Sequence, residues 1–436
     1  MTWATKEFKD IDLGDKRLNE RAEKLAYRLG QTPSESIPNA CKGWAETQSA
    51  YRFYSNDSVN WEKILEPHWQ CSVQRMKKHA VVLNIQDTTE LNFNGKQIEG
   101  LGPLSYEAQR GMYLHATYAI TTDREPLGVM DAWMWSRQFR DDQGVRKGMN
   151  ESTRWLEGYE RVVEQALKLP DTRQVYVADR EADILALFAK GHEQHYKADL
   201  LIRSRHNRSL PGGGKLWDQV QQSEALGQIH FTLAAGRNRK ARKVTQSLRV
   251  KRVQLKGGIE VSCLIATEEN APSSVKPVQW KLLTNRPVHD LDEAVELIDW
   301  YRARWEIEMF FLVLKEGCKV QDLQLCKQER IKNALAMYMV VAWRINRMMR
   351  LGRCVPTLSA ELVFEKDEWQ AAYILNKKRP PEQVPDLRSV IRLVAILGGF
   401  LGRKGDGEPG VKVIWSGLDQ ISVFVEGIQF VRQEGL

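Results

Sequence analysis

The feature that most constrains this chain is a change of hydrophobic period at Ala80, where helical spacing gives way to short apolar runs. Ala80–Asp87 (AVVLNIQD) has buried-strand character and closes on a carboxylate. Tyr113–Ile120 and Leu127–Trp135 are two further strand candidates, and the turn residues TTDREP between them predict a hairpin. Residues 151–169 carry the spacing of an amphipathic helix. Gln174–Asp179 reads as a fourth strand, again ending in Asp; EADILALFAKG follows as a helix and Leu200–Arg203 as a fifth strand. Three strands, helix, strand, helix, strand predicts a mixed α/β sheet. Such folds place functional groups at strand ends, where two of these strands carry acids.

The flanks read differently. Residues 1–75 predict a helical region: LNERAEKLAYRLG starts at Gly14 or Asp15 and closes at Gly30, and a second helix runs from about Asn39 through CKGWAETQSAYRFYS. Lys16, Arg17, Arg21, Lys42 and Arg52 lie on these helices, available to a phosphate backbone or equally forming a solvated basic face. Residues 76–204 make the first part of the α/β core. From 205 to 288 the rhythm stops, and GQIHFTLAA, SLRVKRVQLK, IEVSCLIATEE and VQWKLLTN predict an antiparallel β insertion. Its stretch from Arg237 to Arg252, with Arg239 and Arg242, is strongly basic. Such runs are usually solvated, yet on a β-ribbon they also track nucleic-acid backbones. Residues 289–350 return to helix, and 351–436 form a helical C-terminal region. There the apolar LRSVIRLVAIL is ended by glycines, and a terminal helix from Lys412 packs or dimerises. By analogy of topology, the order matches a ribonuclease-H-like core, whose last carboxylate comes from a later helix.

Composition narrows the class. With 42% hydrophobic and 28% charged residues in 436, the chain is globular and long enough for two or three units. Its 64 Lys and Arg against 56 acids give +8, which permits nucleic-acid binding without requiring it. Six cysteines are scattered without a CxxC pair, so neither a zinc site nor a disulfide framework is expected and a reducing cytosol is the simplest home. The N-terminus has no signal-peptide apolar core, and no apolar run approaches the roughly 20 residues that span a bilayer.

Candidate chemistry centres on Tyr301–Lys315, YRARWEIEMFFLVLK. Read as one helix, it places Tyr301, Arg304, Glu308 and Lys315 on one face, with Trp305, Met309, Phe310, Phe311, Val313 and Leu314 supplying apolar surface elsewhere. A carboxylate suits a hard divalent cation, and the phenol and two cations suit phosphate oxygens. Taken alone the stripe favours a simple Arg304–Glu308 ion pair, because such pairs are common on helices. Asp87 and Asp179 have mundane readings as well, a turn residue in QDTTE and a helix cap in ADREAD. Should Asp87, Asp179 and Glu308 converge, three carboxylates can bind two Mg²⁺ or Mn²⁺ ions for in-line phosphoryl transfer.

The motifs carry a resemblance. DTT at Asp87, DREAD at Asp179–Asp183 and Tyr-x2-Arg-x3-Glu-x6-Lys from Tyr301 to Lys315 resemble the DDE transposases of the bacterial insertion-sequence-4 family, of the transposon-five type. AYRF at Ala50–Phe53, Arg203–Ser204, WKLLTNRPV at Trp280–Val288, RWEIE at Arg304–Glu308 and LGGF at Leu397–Phe400 extend the similarity over nearly the whole chain. The resemblance implies Asp87, Asp179 and Glu308 as metal-binding catalytic acids, and Tyr301, Arg304 and Lys315 as a grip on phosphates near the transposon end. It implies Trp280 as the platform for a flipped base in a hairpin intermediate, and Arg203 as a DNA contact. Its partners would be double-stranded DNA (terminal inverted repeats and target) and a second copy in a synaptic dimer, in the bacterial cytoplasm at the nucleoid. The C-terminal similarity weakens beyond LGGF, and RKGDGEPG has no evident counterpart. Two other functions fit the same residues: a DNA-binding relic or inhibitor without catalysis, and a ribonuclease-H-like nuclease without strand transfer.

Overall fold

The computed structural model describes residues 2–146, 151–233, 241–273 and 275–435. The chain forms two compact units, the first from residues 1–78, 88–148 and 306–436, the second from 79–87 and 149–305.

The first unit opens with helices α1 (Trp3–Phe8), α2 (Lys16–Gln31), α3 (Ile37–Ala40), α4 (Trp44–Tyr54) and α5 (Trp61–Met76). Asp15 caps α2, its carboxylate accepting from the Arg17 N–H at 2.7 Å. Gly30 does not close this helix as the sequence suggests. It lies inside it, where a Cβ would meet the Trp3 ring at 2.3 Å, so the glycine serves close packing and not a C-terminal turn. The helix expected from about Asn39 starts at Trp44 instead, because Gly43 adopts φ +83° and turns the chain just before it.

Strand β1 (Val81–Asn92) begins in the second unit and ends in the first. In the first unit it is followed by β2 (Gly102–Pro103), β3 (Arg110–Thr121) and β4 (Pro126–Trp135), with β3 and β4 antiparallel as the turn signal predicts. The end of β1 adjoins β3, where the Phe93 N–H donates to the Arg110 carbonyl at 2.9 Å.

The second unit continues with α6 (Thr153–Lys168), β5 (Arg173–Ala178), α7 (Leu185–Glu193), β6 (Asp199–Arg203) and α8 (Leu216–Gln221). Then come β7 (Ala225–Leu233), β8 (Arg242–Gln254), β9 (Glu260–Glu269), β10 (Gln279–Thr284) and α9 (Leu291–Ala303). Among the described residues its sheet runs β1-β5-β6-β10-β9-β8-β7. The first three are parallel, and β10 joins β6 antiparallel, so the residues read as an insertion extend the core sheet by its own hydrogen bonds. Trp155, Tyr159, Tyr176, Phe188, Trp217 and Cys263 are among the buried residues that fill the space between this sheet and α6, α7 and α8.

The chain then returns to the first unit through α10 (Trp305–Leu312), a π-helical turn (Val313–Gly317), α11 (Gln328–Cys354), α12 (Lys366–Leu375), α13 (Leu387–Leu397) and α14 (Val411–Glu434). Helix α11 is buried along most of its length against α5, β4, α13 and α14. Gly398 and Gly417 let α13 and α14 touch backbone to backbone: a Cβ at either would stand 1.9 Å from a carbonyl oxygen of the other element. No described helix is long and apolar enough to cross a membrane.

The continuous helix expected over Tyr301–Lys315 is not formed. α9 ends at Ala303, and the Arg304 N–H donates to the Tyr301 carbonyl at 3.0 Å in a tightened last turn. Further on, the Cys318 N–H reaches back five residues to the Val313 carbonyl at 2.7 Å, and Gly317 lies flat against Trp415. Periodicity is blind to both breaks. Arg304 keeps helical dihedrals (φ −52°, ψ −29°), and the side chains around each break are ordinary helix formers.

Candidate functional site

The second unit builds its polar cluster from strand register. β1 and β5 pair in parallel from Val81↔Arg173 to Gln86↔Ala178, so the next residue on each strand is an aspartate: Asp87 and Asp179. Residues level with each other on parallel neighbours face the same way, and neighbouring strands lie about 4.8 Å apart. Gln86 points to α6, where a Cβ at Gly158 would come within 2.7 Å of its side-chain oxygen. Asp87, one step on, therefore faces away from α6, and Asp179 continues extended (φ −84°, ψ −171°) on the same side. Asp87 does not end its strand as expected, since β1 runs on to Asn92; what ends there is the pairing with β5.

Three side chains meet these carboxylates. Arg304, at the close of α9, places Nη1 2.8 Å from Asp87 Oδ2 and is 8% exposed. Tyr301 donates its hydroxyl to Asp179 Oδ1 at 3.4 Å, and Arg203, the last residue of β6, has Nη1 3.7 Å from the same oxygen. Burial, reinforced by the Asp179 charge, pushes the Tyr301 phenol up to about 12, so it remains a proton donor through the neutral range. Asp179 also caps the following 3₁₀ turn, accepting from the Arg180 N–H at 2.7 Å through Oδ1. The cap reading and the cluster reading hold together, because all these contacts fall on one oxygen.

Asp183, the last residue of DREAD, has a role the sequence reading did not assign. It is 3% exposed, and Oδ2 accepts from Ser204 Oγ at 3.0 Å, the Arg205 N–H at 2.7 Å and the His206 N–H at 2.9 Å. Arg208 Nη1 stands 2.6 Å from its other oxygen. This carboxylate holds the loop that leaves β6 just after Arg203, and so fixes the backbone carrying that arginine. The motif spelling singled it out; only the count of donors around it shows what it does.

The remaining sequence candidates are placed as follows. Glu308 is half-buried on α10 and Lys315 sits in the π-helical turn, both in the first unit. There Lys315 Nζ donates to the Glu90 carbonyl at 3.3 Å, and burial lowers its basicity against the pull of Glu90 and Glu316. Trp280 is half-buried on β10 and stacks on Phe231 of β7, centroids 5.7 Å apart and planes 19° off parallel; Arg302 lies 5.3 Å from the Phe231 ring. β7 is three places from β10 in the sheet order, so the sheet coils for these rings to meet, which no local spacing shows. Arg242 is engaged by buried Glu268, Nη2 to Oε2 2.9 Å, and Arg239 lies outside the described residues. Lys16 and Arg17 are exposed at the start of α2, Arg21 is half-buried further along it, and Arg52 is exposed on α4.

Among the described residues no group of three or more His, Cys, Asp or Glu is arranged as a metal cluster. The donors that the second unit brings together, Asp87 and Asp179, are hard carboxylate oxygens of the type Mg²⁺ and Mn²⁺ take. In chemistry they fit such an ion.

Three family models match the chain: transposase DNA-binding over residues 1–59, the transposase DDE domain over 147–344, and the transposase Tn5 dimerisation domain over 340–435. A solved structure, a piggyBac transposase synaptic complex with hairpin DNA, is similar at 8% identity with a TM-score of 0.32. The likeness covers 69% of this chain and 54% of that one, so the chain spans about half the length of that relative. At that score it carries no argument.

Proposed function

Because this chain carries the DNA-binding, DDE and dimerisation domains of a DDE transposase, we propose that it is a cut-and-paste DNA transposase of the insertion-sequence-4 type. It would bind terminal inverted repeats, cleave through a DNA hairpin and join 3′-OH ends to target DNA as a synaptic dimer. The observation that carries the reading is the β1–β5 register, which sets Asp87 and Asp179 side by side with Arg203, Tyr301 and Arg304 around them. Acids ringed by phosphate-binding side chains suit transfer at a phosphodiester.

Asp87, Asp179 and Glu308 would hold divalent ions, two Mg²⁺ or Mn²⁺, which when bound activate the attacking oxygen and stabilise the leaving one. The other roles belong to the chain's own side chains. Arg304 and Arg203 compete for phosphate oxygens as well as for their aspartates, orienting the strand for in-line attack. The phenol of Tyr301 donates a hydrogen bond and stays neutral while it does so. Lys315 adds a cation whose basicity burial lowers against the pull of Glu90 and Glu316. Trp280, braced by Phe231, would take the base that a tight hairpin unstacks, offsetting about 1–3 kcal/mol of that cost.

The test is Glu308→Ala in purified protein with DNA bearing the element's ends and Mg²⁺. Nicking and joining should both be abolished while end binding persists. Wild-type rates in that variant would remove Glu308 from the acids and the DDE mechanism with it.

A further inference from the structure

Trp280 shares a sheet face with the acids. Leu282 of β10 stands level with Arg203 of β6, and Ala178 of β5 with Ile202, so Asp179 and Arg203 are level too. Residues level on neighbouring strands face the same way, as do residues two apart on one strand. Trp280, two before Leu282, therefore points to the side of Arg203, Asp179 and Asp87, while Leu283 packs in the opposite core with Tyr176 and Ala178. Helix α9 lies on the acid side, and its last turn reaches two ways. Tyr301 and Arg304 meet Asp179 and Asp87. Arg302, between them in the chain, is held by Asp299 (Nη1 to Oδ1 2.8 Å) and brings its guanidinium carbon 5.3 Å from the centre of the Phe231 ring, which in turn stacks on Trp280.

The two rings are half-buried on the face that holds the polar cluster, not sealed in the apolar core behind the sheet. A lone indole on a strand swings among staggered rotamers. A ring stacked near-parallel on one of its faces, with a cation against that ring, selects one of them. The row Arg302–Phe231–Trp280 thus runs from the helix turn that contacts the acids to the indole, and sets both the plane of the indole and its distance from them.

From this geometry we infer that Phe231 and Arg302 are positioning residues for hairpin formation, acting through Trp280. They hold the indole face opposite Phe231 flat for the unstacked base while the phosphate lies at Tyr301 and Arg304. In that step the freed 3′ oxygen bonds to the phosphorus of the opposite strand, the flanking DNA's 3′ oxygen leaves, and one proton passes, net, from the first oxygen to the second. The inference rests on the transposase reading and deepens it at one step: unstacking a base costs energy, and a platform already oriented offsets more of that cost.

The experiment uses the purified full chain with Mg²⁺ and duplexes carrying an inverted repeat from the DNA flanking the coding region, one intact and one already nicked at the repeat's 3′ end. A further set of nicked duplexes carries an abasic site at each of the nearest opposite-strand nucleotides in turn. Phe231→Ala should slow hairpin formation about fivefold more than nicking, and Arg302→Ala about twofold more, with Phe231→Tyr close to wild type. On one abasic duplex the Phe231→Ala deficit should vanish, because no base remains to be stacked. Equal slowing of both steps, or a deficit that persists on every abasic duplex, makes the stack a packing feature and overturns the inference. Faster hairpin formation in Phe231→Ala overturns it too, by making Phe231 a ring that the base must displace. So does an unchanged ratio of the two steps in both alanine variants, with the transposase reading left standing. A wild-type protein that joins ends without a hairpin removes that step and the inference together. One that neither nicks nor joins overturns the transposase reading, and the inference with it.

Discussion

Two aspartates of one motif, four residues apart, have opposite surroundings. Asp183 is sealed in, with three donors on one oxygen and the Arg208 charge 2.6 Å from the other, which accepts no hydrogen bond among the described residues. Asp179 is about one-third exposed, and its side-chain contacts, at 3.4 and 3.7 Å, are loose and crowd onto a single oxygen. A fully buried carboxylate is closed to an incoming ligand and works as architecture. A loosely held one keeps acceptor capacity for an incoming cation. Glu7 in the first unit belongs with Asp183: it is buried, bonded to His68 Nδ1 at 2.5 Å and gripped by both terminal nitrogens of Arg75.

The contrast can be broken by experiment. Asp179→Asn should cut strand cleavage by about 10³-fold, the several kcal/mol that a metal-held oxygen supplies, while the melting temperature hardly moves. Near-normal cleavage in this variant would end the distinction. Asp183→Asn should do the reverse in kind, lowering unfolding free energy by about 3 kcal/mol in urea titrations, because it strands Arg208 beside a buried neutral amide. If its stability matches wild type, the buried site is not architecture.

Glu7 gives the pH counterpart. Burial pushes its carboxyl up, but His68 and Arg75 outweigh that and hold it at about 2, against 4.5 for an unperturbed group. The unfolded chain thus binds the proton more readily. The stability from this group is complete above about pH 4.5 and is lost as pH falls from there toward 2, on the order of 3 kcal/mol in all. Melts at pH 7 and pH 3 should show Glu7→Gln less acid-sensitive than wild type; parallel losses in the two proteins would count against the network. The smallest effect should come from Trp280→Ala, where hairpin formation slows by about 1–2 kcal/mol with nicking preserved. Equal loss of both steps would make Trp280 a packing residue.

Much of this was legible in the sequence because strands and hairpins announce themselves locally. The runs at Ala80, Tyr113, Leu127, Gln174 and Leu200 all became strands, and TTDREP became the hairpin turn. DREAD and the Tyr-Arg-Glu-Lys spacing marked the residues worth watching. The break at Arg304 was not legible, since it depends on one tightened hydrogen bond within a run of good helix formers. Nor was the pairing of Trp280 with Phe231, which needs a sheet that coils back on itself, or the inward turn of Glu46, which depends on Arg28 from another helix.

By itself, the sequence determined which residues are acids, cations and rings, and which runs become strand or helix, because both follow from side-chain type and spacing along the chain. The tertiary structure alone decided which carboxylate is sealed in and which is loosely held. That depends on how many donors converge from β6, α9 and the loop after Arg203, and convergence is set by register and packing, which are not local properties.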